Sequence, residues 1–359
     1  MIQNHAYIII AFAISLIFSL IGTPLVVKLC NTRGLLDQPN ARKVHKQGIP
    51  RLGGSLFMPS LGVSILVTLL VMHQSNSSGF NIGFSTVMMA AGACMIYLIG
   101  LLDDIKGLKA IHKFIIQTIA ALIFPFCNLM ISDLHGLFGI HEIPIWVGYL
   151  VTVFFILIIV NAMNLIDGID GLASGLACLI LGAFAYLYYT NEAYLFSLIS
   201  ISLAGATLAF FFFNMFGKAG MLKTFMGDSG SLFLGYIIAY HAIKYIMVCD
   251  NKSIYPSEEA FLTSWSLVFI PCIDVIRVAL QRKINHKGMF EADKTHIHHL
   301  IMDIGIGMHN TLIVILCLAC CICFINWGLY TISVPITYIM IGDIFIYGIF
   351  IGSTCLMKE

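Results

Sequence analysis

The stretch IWVGYLVTVFFILIIV (145–160), running directly into NAMNLIDGIDGLASG (161–175), decides the fold. The first part carries no charge, and about 20 apolar residues suffice to cross a hydrocarbon core of ~30 Å as a helix. Asn161, Asn164, Asp167 and Asp170 follow at once, and a second apolar run begins by residue 171. A chain that crosses a bilayer, places two carboxylates and two carboxamides at the boundary and crosses again is polytopic, with chemistry at the end of its spans.

Composition agrees. Hydrophobic residues make up 59% of the 359, charged residues only 10%, and the mean hydropathy is +0.95. Such values exclude a soluble domain of ordinary composition. Apolar runs near 6–29, 53–73, 83–102, 111–131, 144–163, 171–190, 194–214, 228–248, 261–281, 308–328 and 333–354 predict an all-α membrane protein of about eleven transmembrane helices. These runs fill the chain, so a single multi-pass domain over 1–359 is expected. The first run lacks a basic segment ahead of it and a small-residue cleavage site, and it reads as a retained span.

Of the 19 lysines and arginines, all except Lys244 and Lys252 fall on the side that receives the ends of the odd-numbered spans. The positive-inside rule makes that side cytoplasmic, with the N-terminus outside and the C-terminus inside. The formal net charge of +1 therefore conceals a polarised molecule whose inner face suits nucleotides and anionic headgroups. No nucleic acid is needed to account for it.

Seven aspartates gather on the same side: Asp103, Asp104, Asp167, Asp170, Asp228, Asp274 and Asp293. Ionisable groups at span ends are costly unless paired or functional, and carboxylates facing lysines suit a hard divalent cation with a phosphorylated substrate. In IGLLDDIKGLKAIHKFIIQ (99–117) the adjacent Asp103 and Asp104 project about 100° apart on a helix, so they serve different tasks. Lys113 lies one turn into the next apolar helix, where it acts either as a headgroup anchor or as a ligand for lipid phosphate. Asn164, Asp167 and Asp170 would share one face if the path were helical, while Gly168, Gly171 and Gly175 permit a broken helix.

FMGDSGSLFLG (225–235) opens a span with Asp228, so the free N–H groups there are expected to meet an anion. The loop QRKINHKGMFEADKTHIHHL (281–300) offers Arg282, His296, His298 and His299 to a diphosphate. Zinc is the competing reading of that histidine set, but no cysteine or nearby carboxylate in the sequence completes it. The cysteines of CLACCIC (317–323) read as small packing residues between helices, and no disulfide is expected. Asp343, in the middle of the last span, has no partner that the sequence can name.

Taken in order, DQPNARKVHKQGIPRLGG, GLLDDIKGLKAIHK, NAMNLIDGIDGLASG, FMGDSGSLFLG, PCIDVIRVALQRK and HIHH resemble the bacterial polyprenyl-phosphate N-acetylhexosamine-1-phosphate transferases from about residue 20 to residue 300. The ending HIHH looks like the branch that uses UDP-GlcNAc. The resemblance implies an eleven-helix fold and transfer of GlcNAc 1-phosphate from UDP-GlcNAc to undecaprenyl phosphate, releasing UMP and starting a lipid-linked envelope polysaccharide such as O-antigen of lipopolysaccharide. It further implies Mg²⁺, or Mn²⁺, held by Asn164 and Asp228, with lipid phosphate on Lys113 and Asp103 as base. Asp170 would lie at the uracil, with Asp104 and Asp167 among the catalytic carboxylates. Arg282, His296, His298 and His299 would close over the sugar diphosphate. Location in the bacterial inner membrane follows, with membrane lipids as surroundings and a homodimer left open. Other UDP-N-acetylhexosamines or UDP-MurNAc-pentapeptide remain alternative donors. A secondary transporter is the rival of another class; it would show midplane charges and an internal repeat.

Overall fold

A computed structural model describes residues 2–37, 48–75, 82–252, 257–286, 288 and 295–358, with the side chains of 2–4, 251 and 252 left aside. Arg42, Lys43, Lys46, Lys287, Asp293 and Lys294, and with them most of DQPNARKVHKQ, lie outside the described residues.

The described chain is built on helices: α1 Ile2–Arg33, α2 Phe57–Gln74, α3 Phe84–Lys106, α4 Ala110–Phe126, α5 Ile145–Leu165 and α6 Leu172–Thr190. There follow α7 Tyr194–Phe216, α8 Gly227–Lys252, α9 Ser257–Ile284, the short α10 Ile297–Asp303, α11 Met308–Thr331 and α12 Ile336–Leu356. Ten of them are long and apolar enough to cross a membrane. The fourth expected span is an apolar helix shorter than these. α4 has 17 residues, about 25 Å of helix at 1.5 Å per residue. Pro125 occupies its last turn, and the chain leaves the helix through Asn128 at φ 55°. Leu129 and Ile131 stay buried, but as irregular chain whose Ile131 N–H is met by Thr152 Oγ1 at 2.9 Å. Apolar length alone overestimated the helix because burial here is against protein.

Two short antiparallel pairs, β1 Leu36–Asp37 with β2 Ile49–Pro50 and β3 Asp133–Leu137 with β4 Ile140–Glu142, occupy loops and leave the architecture all-α.

α8 is the axis of the bundle: 89% of its apolar window is enclosed, against 22% for α1 and α11. It packs on α3, α5, α6 and α9, while α1, α2 and α7 form a flanking layer. Hydroxyls stitch that layer together: Ser19 to Ser60 at 2.7 Å, Ser64 to Ser202 at 2.9 Å, and Ser64 Oγ to the Ala11 carbonyl at 2.6 Å. Such bonds contribute about 0.6 kcal/mol each within membranes.

Asp343 finds its partners across helices. Trp265 Nε1 of α9 and Asn326 Nδ2 of α11 both donate to its Oδ2 at 2.9 Å, so the carboxylate pins the last two spans to α9. The cysteines depart from expectation. Cys317 and Cys321 are exposed on the outer surface of α11, where lipid would surround them, and Cys320 and Cys323 line a shallow apolar groove with α6 and α9.

Because successive spans run antiparallel, the end of α3, the start of α4, the end of α5, the starts of α6 and α8 and the end of α7 meet on one face. The candidate site is built there.

Candidate active site

The site starts from the two ends that α3 and α8 bring together. α8 begins at Gly227, whose φ of +72° belongs to the left-handed region. A Cβ there would lie 2.6 and 2.7 Å from the Asp104 carboxylate oxygens, so glycine is required twice over. The N–H groups of Asp228 and Ser229 donate to Asp104 at 2.8 and 2.9 Å. An anion does occupy the N-terminus of α8, as the motif suggested, and it is the protein's own. Asp104, 4% exposed, is thereby committed to fixing α8 against α3.

Asp103 points elsewhere, as adjacent helix positions must. Its Oδ1 accepts the Leu108 N–H at 2.6 Å, and its Oδ2 lies 3.2 Å from Lys113 Nζ. The same ammonium reaches Asp228 Oδ2 at 2.6 Å. Asp228 Oδ1 accepts from Asn164 Nδ2 at 3.0 Å, and that amide also reaches Ser231 Oγ at 2.8 Å. Asn164 is on the last turn of α5, so four helices converge on Asp228.

Carboxylate oxygens of Asp103, Asp104 and Asp228 lie within 4.8 Å of one another, close enough to share one cation. Asp104 is occupied by backbone donors, so the oxygens open to exchange are those of Asp228 and Asp103, with the Asn164 amide beside them. The donor set is all oxygen once that amide is turned, which suits Mg²⁺ or Mn²⁺.

α5 ends at Leu165 and α6 starts at Leu172, so Asp167 and Asp170 lie on a turn and do not continue the face of Asn164. Asp167 keeps some solvent-accessible surface and makes no hydrogen bond to any described residue. Burial pushes its carboxyl up to about 7, and the charges of Asp170, Asp228 and Asp104 add to the shift.

Asp170 is tied to Lys223, whose Nζ is 2.5 Å from Oδ2. The turn is fixed by Asn214 near the end of α7. Its Oδ1 accepts the Gly171 N–H at 2.7 Å and its Nδ2 donates to the Thr224 carbonyl at 2.9 Å. The segment 224–226 is held in turn by the first loop: Phe225 N–H donates to the Pro50 carbonyl at 2.7 Å, and the N–H groups of Gly53 and Gly54 donate to Phe225 and Met226 at 2.9 Å. The closing IPRLGG of that loop is therefore a strap across the entry to α8.

The histidines assemble on Asp274, a fully buried carboxylate of α9. His296 Nδ1 meets its Oδ2 at 2.7 Å, while Arg277 Nη2, Tyr347 Oη and the Ile297 N–H reach its Oδ1 at 2.7, 2.8 and 3.0 Å. His298 stacks parallel to His296 at 5.9 Å and meets His299 at 4.2 Å between ring centroids. Its ring lies on the turn of Asp167: a Cβ on Gly168 would collide with His298 Nε2 and Cε1. Burial and the two neighbouring imidazoles push His298 down to about 3, so it is neutral, and both of its ring nitrogens are buried without a partner among the described residues. Arg282 is buried in the last turn of α9. Among the described residues, three ligating side chains close enough for one metal occur at Asp103, Asp104 and Asp228 and not at the histidines.

Sequence reading left Asn214, Lys223, Arg277 and Tyr347 out of the site and gave Asp274 no role in it. A lone amide in the apolar run FFFFNMF (210–216) and a lysine five residues before Asp228 were the signals available.

Comparison with known proteins accords with this geometry. The profile of glycosyl transferase family 4 matches residues 86–246, which run from α3 into α8. A Bacillus subtilis protein, a probable undecaprenyl-phosphate N-acetylglucosaminyl 1-phosphate transferase, is 33% identical over 311 residues, covering 86% of this chain and 81% of its own. Decaprenyl-phosphate N-acetylglucosaminephosphotransferase of Mycobacterium tuberculosis is 30% identical over 323 residues, covering 83% and 76%. Undecaprenyl-phosphate alpha-N-acetylglucosaminyl 1-phosphate transferase of Yersinia pestis is 27% identical over 310 residues, covering 86% and 79%. With its carboxylate cluster at the joined ends of α3, α5 and α8, and relatives matched along most of its length, this multi-pass membrane protein belongs to the polyprenyl-phosphate N-acetylhexosamine-1-phosphate transferase family.

Proposed function

We propose that this enzyme transfers N-acetylglucosamine 1-phosphate from UDP-GlcNAc to undecaprenyl phosphate, releasing UMP, at the cytoplasmic face of the bacterial inner membrane. The observation that carries the reading is Lys113, a cation held between Asp103 and Asp228 at the membrane boundary beside the Asn164 amide. The distribution of lysines and arginines supports the orientation, with the N-terminus outside, the C-terminus inside and the carboxylate face towards cytoplasmic nucleotides. The names of the relatives support the acceptor and the sugar, and the resemblance of the motifs, with the ending HIHH, supports UDP-GlcNAc as the donor.

In the reaction an oxygen of the lipid phosphate attacks the β-phosphorus of the nucleotide sugar, and the bond from that phosphorus to the α-phosphate oxygen breaks. Asn164 and Asp228 would hold Mg²⁺, which would supply charge neutralisation on the diphosphate. Lys113 would exchange one of its carboxylates for the lipid phosphate, entering from the bilayer side. A phosphomonoester with a second pKa near 6 is largely dianionic at neutral pH, so little proton removal is required. Asp103, engaged by Leu108 N–H and Lys113, orients this cation rather than serving as a strong base. Asp167, which makes no hydrogen bond to any described residue, is the carboxylate able to accept a residual proton. The histidine loop, held on Asp274, closes over the sugar diphosphate with Arg282 behind it.

The test is direct. Purified protein is incubated with radiolabelled UDP-GlcNAc, undecaprenyl phosphate and Mg²⁺, and label is followed into the organic phase. Transfer only with another UDP-N-acetylhexosamine would correct the sugar. Uptake of label into proteoliposomes without transfer to lipid would replace the enzyme reading with transport.

A further inference from the structure

A cavity of about 180 Å³ opens at the far end of the bundle from the carboxylate site, between the chain that leaves α4 and the last turns of α8. Asp250, at its rim, is ~33 Å along α8 from Asp228 at 1.5 Å per residue. Five polar side chains line it: Asn128, Ser132, Asp133, His135 and Asp250. They make little use of one another. Among the described residues Asp133 Oδ1 accepts the His135 N–H at 2.5 Å, while its Oδ2, the Asp250 carboxylate, the Asn128 amide and the Ser132 hydroxyl enter no hydrogen bond. His135 is only 7% exposed and packs its ring on Phe261 at 5.5 Å between centroids, yet among the described residues neither ring nitrogen has a hydrogen-bond partner. Its Nδ1 stands 4.0 Å from Asp133 Oδ1, too far for one. Buried polar groups are ordinarily satisfied, so a convergent set left open in this way is suited to a polar ligand.

Electrostatics give the sign of that ligand. None of the lining residues is a lysine or arginine, and among the described residues neither carboxylate pairs with one; Asp133 faces only the imidazoles of His135 and His141, each at 4.0 Å. Asp250 stands in the last turn of α8, and Asn128 directly follows Cys127, the C-cap of α4, so the partial negative ends of two helices add to the carboxylates. The ligand is a cation. Size and walls give its form. The cavity is several times the ~30 Å³ share of one water, and Ile131, Ile243, Ile246 and Met247 supply apolar walls. A bare divalent ion would want about six oxygens in one shell, whereas such walls fit a carbon stem. No Phe, Tyr or Trp lines the cavity, and aromatic faces are what hold a quaternary ammonium. A primary ammonium, with three N–H donors for carboxylate, amide and hydroxyl oxygens, matches both walls and charge. We propose that this cavity binds a primary ammonium group on a short carbon stem, as in ethanolamine, supplied either by the free amine or by a phosphatidylethanolamine headgroup of the adjoining leaflet. The proposal does not rest on the transfer reaction.

Two measurements on the full chain test it. Detergent-purified protein is titrated calorimetrically with ethanolamine and with choline, which carries the same charge but no N–H. The protein is also placed in nanodiscs of phosphatidylglycerol mixed with an equal fraction of either phosphatidylethanolamine or phosphatidylcholine, and its thermal unfolding is followed. Asp250→Asn should weaken ethanolamine by ~10- to 100-fold, as expected for loss of a charged hydrogen-bond partner, while choline binds poorly to both proteins. Asp133→Asn, whose amide oxygen can still accept the His135 N–H, should act in the same direction and serves as a second variant should Asp250→Asn not fold. A higher melting temperature in the phosphatidylethanolamine discs, with the gap closed by either variant, assigns the headgroup as the source. Ethanolamine binding without that gap assigns the free amine. Equal affinity for ethanolamine and choline, ethanolamine binding that neither variant weakens, or no ethanolamine binding together with no gap between the discs would overturn the proposal. Stabilisation by Ca²⁺ that the variants abolish, without any response to ethanolamine or to the discs, would overturn it in favour of a metal ion.

Discussion

Lys113 Nζ lies 2.6 Å from Asp228 Oδ2 and 3.2 Å from Asp103 Oδ2, so one ammonium joins the start of α4 to the start of α8 and the end of α3. Lys113→Met keeps the apolar stem and removes the charge. Use of undecaprenyl phosphate should fall by ~10- to 100-fold, the loss of a charged hydrogen-bond partner, while the affinity for UDP-GlcNAc changes little. Separate titration of the two substrates checks this. A loss confined to the nucleotide sugar would move Lys113 to the diphosphate.

Asp228→Asn preserves shape while removing the charge that would hold Mg²⁺. Transfer should fall by at least ~100-fold, in line with removal of a group that stabilises developing charge. The protein should still elute as a folded monodisperse species, because Asp104 continues to cap α8. Full activity of this variant, or undiminished wild-type activity in excess chelator, would exclude the metal assignment.

Gly168→Ala places a methyl group into the His298 ring. The ring must move or the turn carrying Asp167 must shift, at a cost of about 1–3 kcal/mol for overpacking. The melting temperature should drop, and the loss of activity should exceed what the fall in folded fraction explains. Unchanged stability and kinetics would show that the histidine loop does not rest on this turn.

His298 gives the protein an acid-side weakness. Burial lowers its folded pKa to about 3, whereas an unfolded imidazole takes up its proton near pH ~6.5. Between those values the unfolded chain binds more protons, so this contribution to stability is complete above ~6.5 and is lost progressively as pH falls towards 3. Thermal unfolding of substrate-free protein across that window should show a shallower acid slope for His298→Gln than for wild type. Parallel slopes would assign the acid sensitivity to other groups.

The sequence alone determined that the chain is a helical membrane protein, because the bilayer sets a length that uncharged runs either reach or miss. Ten long helices answer to ten of the eleven expected spans, and the fourth answers to the 17-residue apolar α4, shorter than expected because the apolar run continues past Pro125 as irregular chain packed on protein. It also put Asp103, Asp104, Asn164 and Asp228 at the ends of spans and Asp167 and Asp170 at the junction of two, since polar residues at the ends of apolar runs stand out against their surroundings, whereas His298 and His299, expected in a loop, lie on α10. The tertiary structure decided what those groups do to one another. Asp104 caps α8 while its neighbour Asp103 faces Lys113, a division that turns on where α8 begins relative to α3. Lys223 meets Asp170 across 53 residues, Tyr347 meets Asp274 across 73, and Trp265 meets Asp343 across 78. Hydrophobic periodicity records which face of a helix is buried and not which neighbour buries it, so those pairings exist only once the helices have packed.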